Sequence, residues 1–502
     1  METLQALGAG LLAAGQPVNL ALCLVGVLLG TLIGVLPGIG PAATLAMLLP
    51  LTYFLTPLGA LIMLAGIYYG AQYGGSTTAI LVNMPGEASS VVTAADGHQM
   101  ARKGRAGAAL AVAALASFVG GMLSNVALAW TGPFLAGFAL QFGPAEYFAL
   151  AVFGLLSATT LSSGSAIKAV GMACLGLLLS TVGVDVNSGL DRLTLGSAYL
   201  YDGISFVVLA VGFFAISEII VNLHDQAGST GHIGQISQLW PSRDDFRKGI
   251  PAALRGTVVG TVVGVLPGGG ATLSAFASYA LEKRLSKNPQ VFGKGAVQGI
   301  AAAESANNAG AQSNLVPLLI LGIPTGAVTA LMLGALTIHG VTPGPSVIQK
   351  HPDLFWGFIA SMWIGNVMLL VINLPMVGLW VRLLSVPYRL LFPAILLFCC
   401  IGVYSVSSSA FDVVLAAACG IVGYLARRAR CDAAPLALGF VLGPLLETNF
   451  RRAMLISGGD PAVLVQRPVS AALFLLSFCL LVLLVIPLAR AGYARFFVRR
   501  NT

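Results

Sequence analysis

Apolar stretches separated by short polar joints run the length of the chain, near 18–36, 42–69, 106–130, 133–161, 166–184, 198–221, 250–266, 314–338, 354–380, 383–404, 411–426, 433–446 and 469–489. A spanning helix needs about 20 apolar residues, so the pattern predicts an all-α polytopic membrane protein of about 10–14 helices. Glycine and proline interrupt several of the runs. The longest polar segment, NLHDQAGSTGHIGQISQLWPSRDDFRKGI at 222–250, falls near the middle of the chain. It reads as a cytoplasmic linker between a first membrane half, 1–221, and a second, 251–502.

One stretch occurs twice. Residues 26–40 read GVLLGTLIGVLPGIG and residues 256–270 read GTVVGTVVGVLPGGG, matching at 9 of 15 positions without a gap. Gly26, Gly30, Gly34 and Gly38 in the first copy, and Gly256, Gly260, Gly264 and Gly268 in the second, recur at every fourth residue and share one helical face. In lipid such a face lets another backbone approach closely. Each copy ends in Pro-Gly-x-Gly, where proline removes a backbone donor and glycine opens conformations closed to other residues, so each helix is expected to break there. Freed backbone groups at membrane depth need protein or a water-filled cavity around them, and two matching breaks point to one binding site between two repeats. The repeats could be parallel or inverted; by analogy with other transporter folds the expectation is inverted.

After the first break Pro41 opens a new helix with Thr44 near its start; after the second stand Thr272 and Ser274. Backbone N–H groups at helix starts, with a hydroxyl beside them, favour an anion. The alternative is that these hydroxyls bond back to their own turns. Candidate substrate-binding residues at the breaks are therefore Gly38, Gly40 and Thr44, then Gly268, Gly270, Thr272 and Ser274.

A second pair of features extends the repetition: Gly70-Ala71-Gln72 precedes Met84-Pro85, and Gly310-Ala311-Gln312 precedes Ile323-Pro324. Ser76 and Thr77 follow the first; Glu304, Asn307 and Asn308 lead to the second. These dense polar clusters either line a cavity, with Ser76, Thr77, Asn307, Asn308 and Gln312 as further binding candidates, or form ordinary hairpins at the water interface. Charges inside apolar runs are costly, so Glu87, Asp96 and Glu304 are candidates for ion coupling or for holding such a cavity together.

Composition agrees with a membrane protein: 57% of residues are hydrophobic and 9% charged, against roughly 25% charged in soluble domains. The net charge of +8 comes from short basic clusters such as 102–105, 243–248, 283–287, 427–430 and 495–500. These read as cytoplasmic segments, with the C-terminus inside, rather than as a nucleic-acid surface. The seven cysteines show no metal or disulfide spacing. The first apolar run lacks a basic segment before it and reads as retained structure rather than a leader. No G-x-S-x-G, H-E-x-x-H or Walker A pattern is present, so no enzyme, metal site or organic cofactor is expected.

The two GVLPGxG breaks, GPAEYFAL at 143–150, ESANNAGAQ at 304–312, VPYRLLFPAILLFCCIGVYSV at 386–406 and APLALGFVLGPLLETNFRRAM at 434–454 together resemble the large transmembrane subunit, TctA type, of the tripartite tricarboxylate transporter family. The resemblance implies a secondary transporter of the bacterial inner membrane, driven by a sodium or proton gradient. It also implies a small membrane subunit of about four helices, a periplasmic solute-binding protein, and citrate-like tricarboxylates or related acids as solutes. A carboxylate or ion channel is the alternative, since broken helices also build selectivity filters.

Overall fold

The computed structural model describes residues 2–36, 40–84, 86–160, 165–185, 187–225, 240–266, 269–383 and 388–482. Gly38, Gly268 and residues 226–239 of the expected linker lie outside them. The described chain is an all-α polytopic membrane protein. Its helices in order are α1 (Glu2–Ala14), α2 (Pro17–Val35), α3 (Pro41–Thr52), α4 (Pro57–Val82), α5 (Val91–Met100), α6 (Ala106–Ala139), α7 (Pro144–Thr160), α8 (Ala166–Ser180), α9 (Phe206–Ala210) and α10 (Ser217–Asp225). They continue with α11 (Arg243–Val265), α12 (Gly270–Leu285), α13 (Val297–Ser313), α14 (Ala327–Ile338), α15 (Val347–Lys350), α16 (Pro352–Asn373), α17 (Val377–Leu383), α18 (Tyr388–Ser407), α19 (Ala410–Arg428), α20 (Ala434–Ile456), α21 (Val463–Gln466) and α22 (Pro468–Val482). Five described helical stretches are long and apolar enough to cross a membrane, among them α2, α16 and α19.

The chain forms two compact units. The first comprises Met1–Leu140 and Val207–Leu425, the second Gln141–Phe206 and Ala426–Thr502. In the second unit α20 packs on α8, with Gly176 against the Leu436 backbone and Gly439 against Ala173. A short antiparallel hairpin, Gly183–Val184 with Asp191–Arg192, follows α8. Arg451 of α20 donates to Asp185 at 2.9 Å and to Glu447 at 2.6 Å, and Arg192 donates to Glu447 at 2.7 Å.

Both PGxG motifs end helices as expected. α2 stops at Val35, Leu36 is extended, and α3 restarts with Pro41 in its first turn. α11 stops at Val265 and α12 restarts at Gly270, whose φ of +51° is left-handed and suits glycine. The glycine faces are used for close approach. A methyl group added at Gly26, Gly30 or Gly34 would come within 3.1, 2.8 and 2.9 Å of the Cα atoms of Met63, Ile67 and Ala71 on α4. One added at Gly260 or Gly264 would come within 2.7 or 2.6 Å of the Cα atoms of Ala306 or Gly310 on α13.

These contacts fix direction. Partners on α4 rise in step with residues on α2, so the two helices run parallel; α11 and α13 do likewise. α3 must therefore carry the chain back between α2 and α4, and its 12 residues cover about 18 Å at 1.5 Å per residue. α4 and α13 run antiparallel: Ser76 meets Glu304, whereas Tyr68, earlier on α4, meets Asn314, just past the end of α13.

The polar clusters are not interfacial hairpins. Residues 72–78 lie inside α4 and 304–312 inside α13, and both segments are buried. Apolar packing surrounds them, including Ile300, Ala301, Ala109 and Ala113.

Two outcomes follow. Gly30→Leu is expected to destabilise the folded protein by about 3 kcal/mol or more, as overpacking against backbone does. Gly137→Ala, where an added methyl meets open space inside α6, should not lower the melting temperature of the detergent-solubilised protein, since alanine is the better helix former. Separately, the Arg451 guanidinium beside Asp185 holds that carboxyl below the usual carboxylate range. A depressed folded value stabilises at pH above the unfolded value of about 3.9 and loses its contribution as pH falls through the lower one. Asp185→Asn should therefore flatten the acid end of the wild-type stability profile, measured by melting between neutral and acidic pH.

Candidate functional site

Glu304 of α13 lies in the first unit with no exposed surface. Its carboxylate accepts hydrogen bonds from Ser76 Oγ of α4 at 2.6 Å, from Thr93 Oγ1 of α5, and from Ser117 Oγ of α6 at 3.0 Å. Among the described residues no lysine, arginine or histidine is hydrogen-bonded or ion-paired to it, although charge burial is ordinarily compensated by a partner. A narrow cavity reaches it, lined by Tyr73, Ser76, Thr77, Ser117, Asn373 and apolar residues of α6.

The helical period explains how these groups gather. On α13, residues 304, 308 and 312 are one turn apart and share a face. Asn308 Nδ2 donates to the Glu304 backbone carbonyl at 3.3 Å, while its side-chain oxygen has no partner. Both polar side-chain atoms of Asn307 and of Gln312 are buried and unpartnered. The same is true of Asn125 on α6. Gln312 and Asn366 of α16 both crowd Gly121 of α6: a methyl group there would come within 2.6 Å of Gln312 Nε2 and collide with Asn366 Oδ1. The result is a stripe of buried amides running along α13 from Glu304. Amides offer both donors and acceptors, so the stripe can receive a carboxylate through its N–H groups or a cation through its oxygens.

The two breaks adjoin different levels of this stripe. Gly34, at the end of α2, packs beside Ala71 and Gly75, and the Glu87 segment follows on the same side, Gly86 meeting Gly34 and Gly75. Gly264, at the end of α11, packs beside Gly310, where Ala271, Ala311 and Tyr68 also cluster. Between the Glu304 level and the Gln312 level lie about 12 Å of α13 at 1.5 Å per residue.

The remaining candidates are placed as follows. Thr44 Oγ1 donates to its own Gly40 carbonyl at 3.1 Å, and Ser274 Oγ to its own Gly270 carbonyl at 2.7 Å, so both hydroxyls bond back to their turns. Thr44 lines a separate hollow with Ile33, Ala215, Glu218, Ile219 and Ile395, whereas Ser274 packs on Gly310. Gly40 and Gly270 face open space. Thr272 is half-buried, and Thr77 bonds to the Tyr73 carbonyl. Glu87 has a buried carboxylate oxygen without a partner. Asp96 differs: its Oδ1 accepts from the backbone N–H groups of Gly295 and Ala296, each at 2.8 Å, and its Oδ2 from Tyr279 at 2.9 Å. It pins α5 to the start of α13.

Sequence reasoning missed Thr93, Ser117, Asn125, Asn366 and Asn373. A signal was present in part: Ser117, Gly121 and Asn125 recur at every fourth residue of a largely apolar helix, and Asn366 and Asn373 lie two turns apart on α16.

Residues 20–438 match the model of the family described as Tripartite tricarboxylate transporter TctA family. The chain belongs to that family. Members of the TctA family are components of transporters with other subunits. This TctA chain is 54% identical over 501 residues to an Agrobacterium vitis protein described as an uncharacterized 52.8 kDa protein in the TAR-I ttuC' 3' region, covering 100% of both. A second Agrobacterium vitis protein, described as uncharacterized and in the TAR-II ttuC' 3' region, is 54% identical over 239 residues, 48% of this chain and 99% of the relative. No solved structure matches.

Asp96→Ala strands two backbone N–H groups at the start of α13. It should lower stability by about 2–4 kcal/mol, against about 1 kcal/mol for Tyr279→Phe. Melting of the solubilised variants measures both.

Proposed function

We propose that this chain is the large membrane subunit of a binding-protein-dependent secondary transporter that imports carboxylates, citrate-like tricarboxylates or related acids, using a sodium or proton gradient. The observation that carries the reading is the buried amide stripe of Asn307, Asn308 and Gln312 between two helix breaks, in which both polar atoms of Asn307 and Gln312 and the side-chain oxygen of Asn308 are unpartnered. Unpaired polar groups at membrane depth cost free energy unless a ligand or water takes them, and transporters place solute sites where helices are discontinuous. Neutral donors and helix starts at Gly40 and Gly270 would hold the carboxylates. Ser76 and Thr77 share a cavity with Glu304, and Ser274 meets Gly310 of α13; Glu87 and Glu304 would be the acidic groups that couple an ion to the site.

The antiparallel course of α4 and α13, each with its glycine helix alongside, supports an inverted relation between the two sequence copies. Arg105 pairs with Asp245 at 2.5 Å, and Lys103 reaches the Lys294 carbonyl. The basic loop after α5 and the starts of α11 and α13 thus share one face, and their positive residues support a cytoplasmic side for it in a bacterial inner membrane. A small four-helix membrane subunit and a periplasmic solute-binding protein complete the assembly.

The test is uptake of labelled citrate and a panel of other carboxylates into proteoliposomes holding the chain and its two partner subunits, under imposed sodium or proton gradients. Accumulation above equilibrium is expected, and Asn307→Leu or Gln312→Leu should reduce apparent affinity about ten-fold or more, since a lost hydrogen bond to a charged group is worth about 1.5–3 kcal/mol. Passive equilibration insensitive to either gradient would establish the channel reading instead.

A further inference from the structure

The hydroxyl shell of Glu304 has a property that an ion pair lacks. Ser76, Thr93 and Ser117 can each donate to an ionised carboxylate, and each can rotate to accept from a protonated one. Both protonation states are therefore satisfied without moving a backbone. Ionised, Glu304 would place an uncompensated negative charge beside the amide stripe, because Asn308 bonds to its backbone and Asn307 and Gln312 lie within the next two turns. Protonated, it leaves the stripe neutral.

We propose that Glu304 carries the coupling proton, and that its protonation is what allows the adjacent amides to accept a carboxylate anion. This deepens the transporter reading and rests on it. The coupling is electrostatic and reciprocal: an anion on the amides opposes a second negative charge nearby, so anion binding draws a proton onto Glu304, and a proton on Glu304 favours the anion by the same factor. The step transfers one proton to a carboxylate oxygen and back, with no bond to the solute formed or broken.

The charged and titratable groups that face Glu304 fit this assignment. From α4, Tyr73 lines the same cavity; from the segment before α5, Glu87 lies against Gly75, beside the Ser76 that bonds to Glu304. On α5, Asp96 is committed to Gly295, Ala296 and Tyr279, and His98 Nδ1 to the Ile80 carbonyl. From α6 the shell receives Ser117, and from α16 the cavity receives Asn373. None of these supplies a permanent positive charge. A small cavity beside Ser76, Thr77 and Ser117 adjoins the carboxylate.

Two measurements decide the matter. Infrared difference spectra of the reconstituted wild-type protein across a pH titration should show the carbonyl stretch of a buried carboxylic acid, absent from Glu304→Gln. With whichever carboxylate the wild-type complex accumulates, Glu304→Gln should lose gradient-driven accumulation at least ten-fold while still exchanging internal for external solute. If that variant does not reach the membrane, Thr93→Val, which removes one hydroxyl from the shell, must move the pH midpoint of wild-type accumulation. Accumulation by Glu304→Gln at the wild-type level, a wild-type dependence on sodium alone, an unmoved midpoint in Thr93→Val, or no acid band in the wild type would each overturn the assignment. If the wild type moves no carboxylate, the transporter reading itself fails, and the infrared band still reports on Glu304.

Discussion

The contact on which the first unit depends is backbone against backbone. Where Gly30 lies on Ile67 and Gly260 on Ala306, no side chain fits between the helices. In water such contacts would add little to a hydrophobic core. In lipid, where tails are as apolar as leucine, tight packing is what distinguishes one helix pairing from another. The glycine faces therefore do more than join α2 to α4 and α11 to α13. They align each pair residue for residue and bring each broken end to a defined level.

That alignment sets up a second constraint. The helices held by the glycine seams, α4 and α13, are the ones that carry Gln72, Ser76, Glu304, Asn307 and Gln312, and they are buried along nearly their whole length. Polar groups so placed must pair, bind something or remain unsatisfied. Some pair: Ser76 with Glu304, Ser89 with Gln72, Asn314 with Tyr68. Others do not: Tyr69, Gln72 Nε2 and Tyr73 on α4, and on α13 the stripe of Asn307, Asn308 Oδ1 and Gln312. A core built only for stability would have favoured apolar side chains of similar size, because a half-satisfied polar network is worse than an apolar one.

Much of this was legible in the chain. The four-residue glycine period announces a helical face, and Pro-Gly-x-Gly announces where the helix must stop; both are local signals, and α2, α3, α11 and α12 obey them. The polar clusters were ambiguous because a hairpin at the water interface and a buried polar helix have the same composition; only the packing of Gly70 and Gly74 on α2 separates them. Thr44 and Ser274 illustrate the opposite limit. Their positions after the breaks suit an anion, yet in the structure each hydroxyl proton goes to the carbonyl four residues back, an option always open to a helical hydroxyl. Thr93, Ser117 and Asn366 were not legible as a group, since what unites them is a meeting of α5, α6, α13 and α16 that no short-range pattern records.

The position of Asp96 has one more consequence. Asp96 and Thr93 are three residues apart on α5, and they hold opposite ends of one segment of α13: the backbone N–H groups at Gly295 and Ala296, and the carboxylate of Glu304. α5 is thus a strut fastened to α13 at two points and to α4 at a third, where His98 meets the Ile80 carbonyl. With those anchors in place, a change of charge at Glu304 can be absorbed by the turning of the Thr93 hydroxyl while the strut keeps its seat.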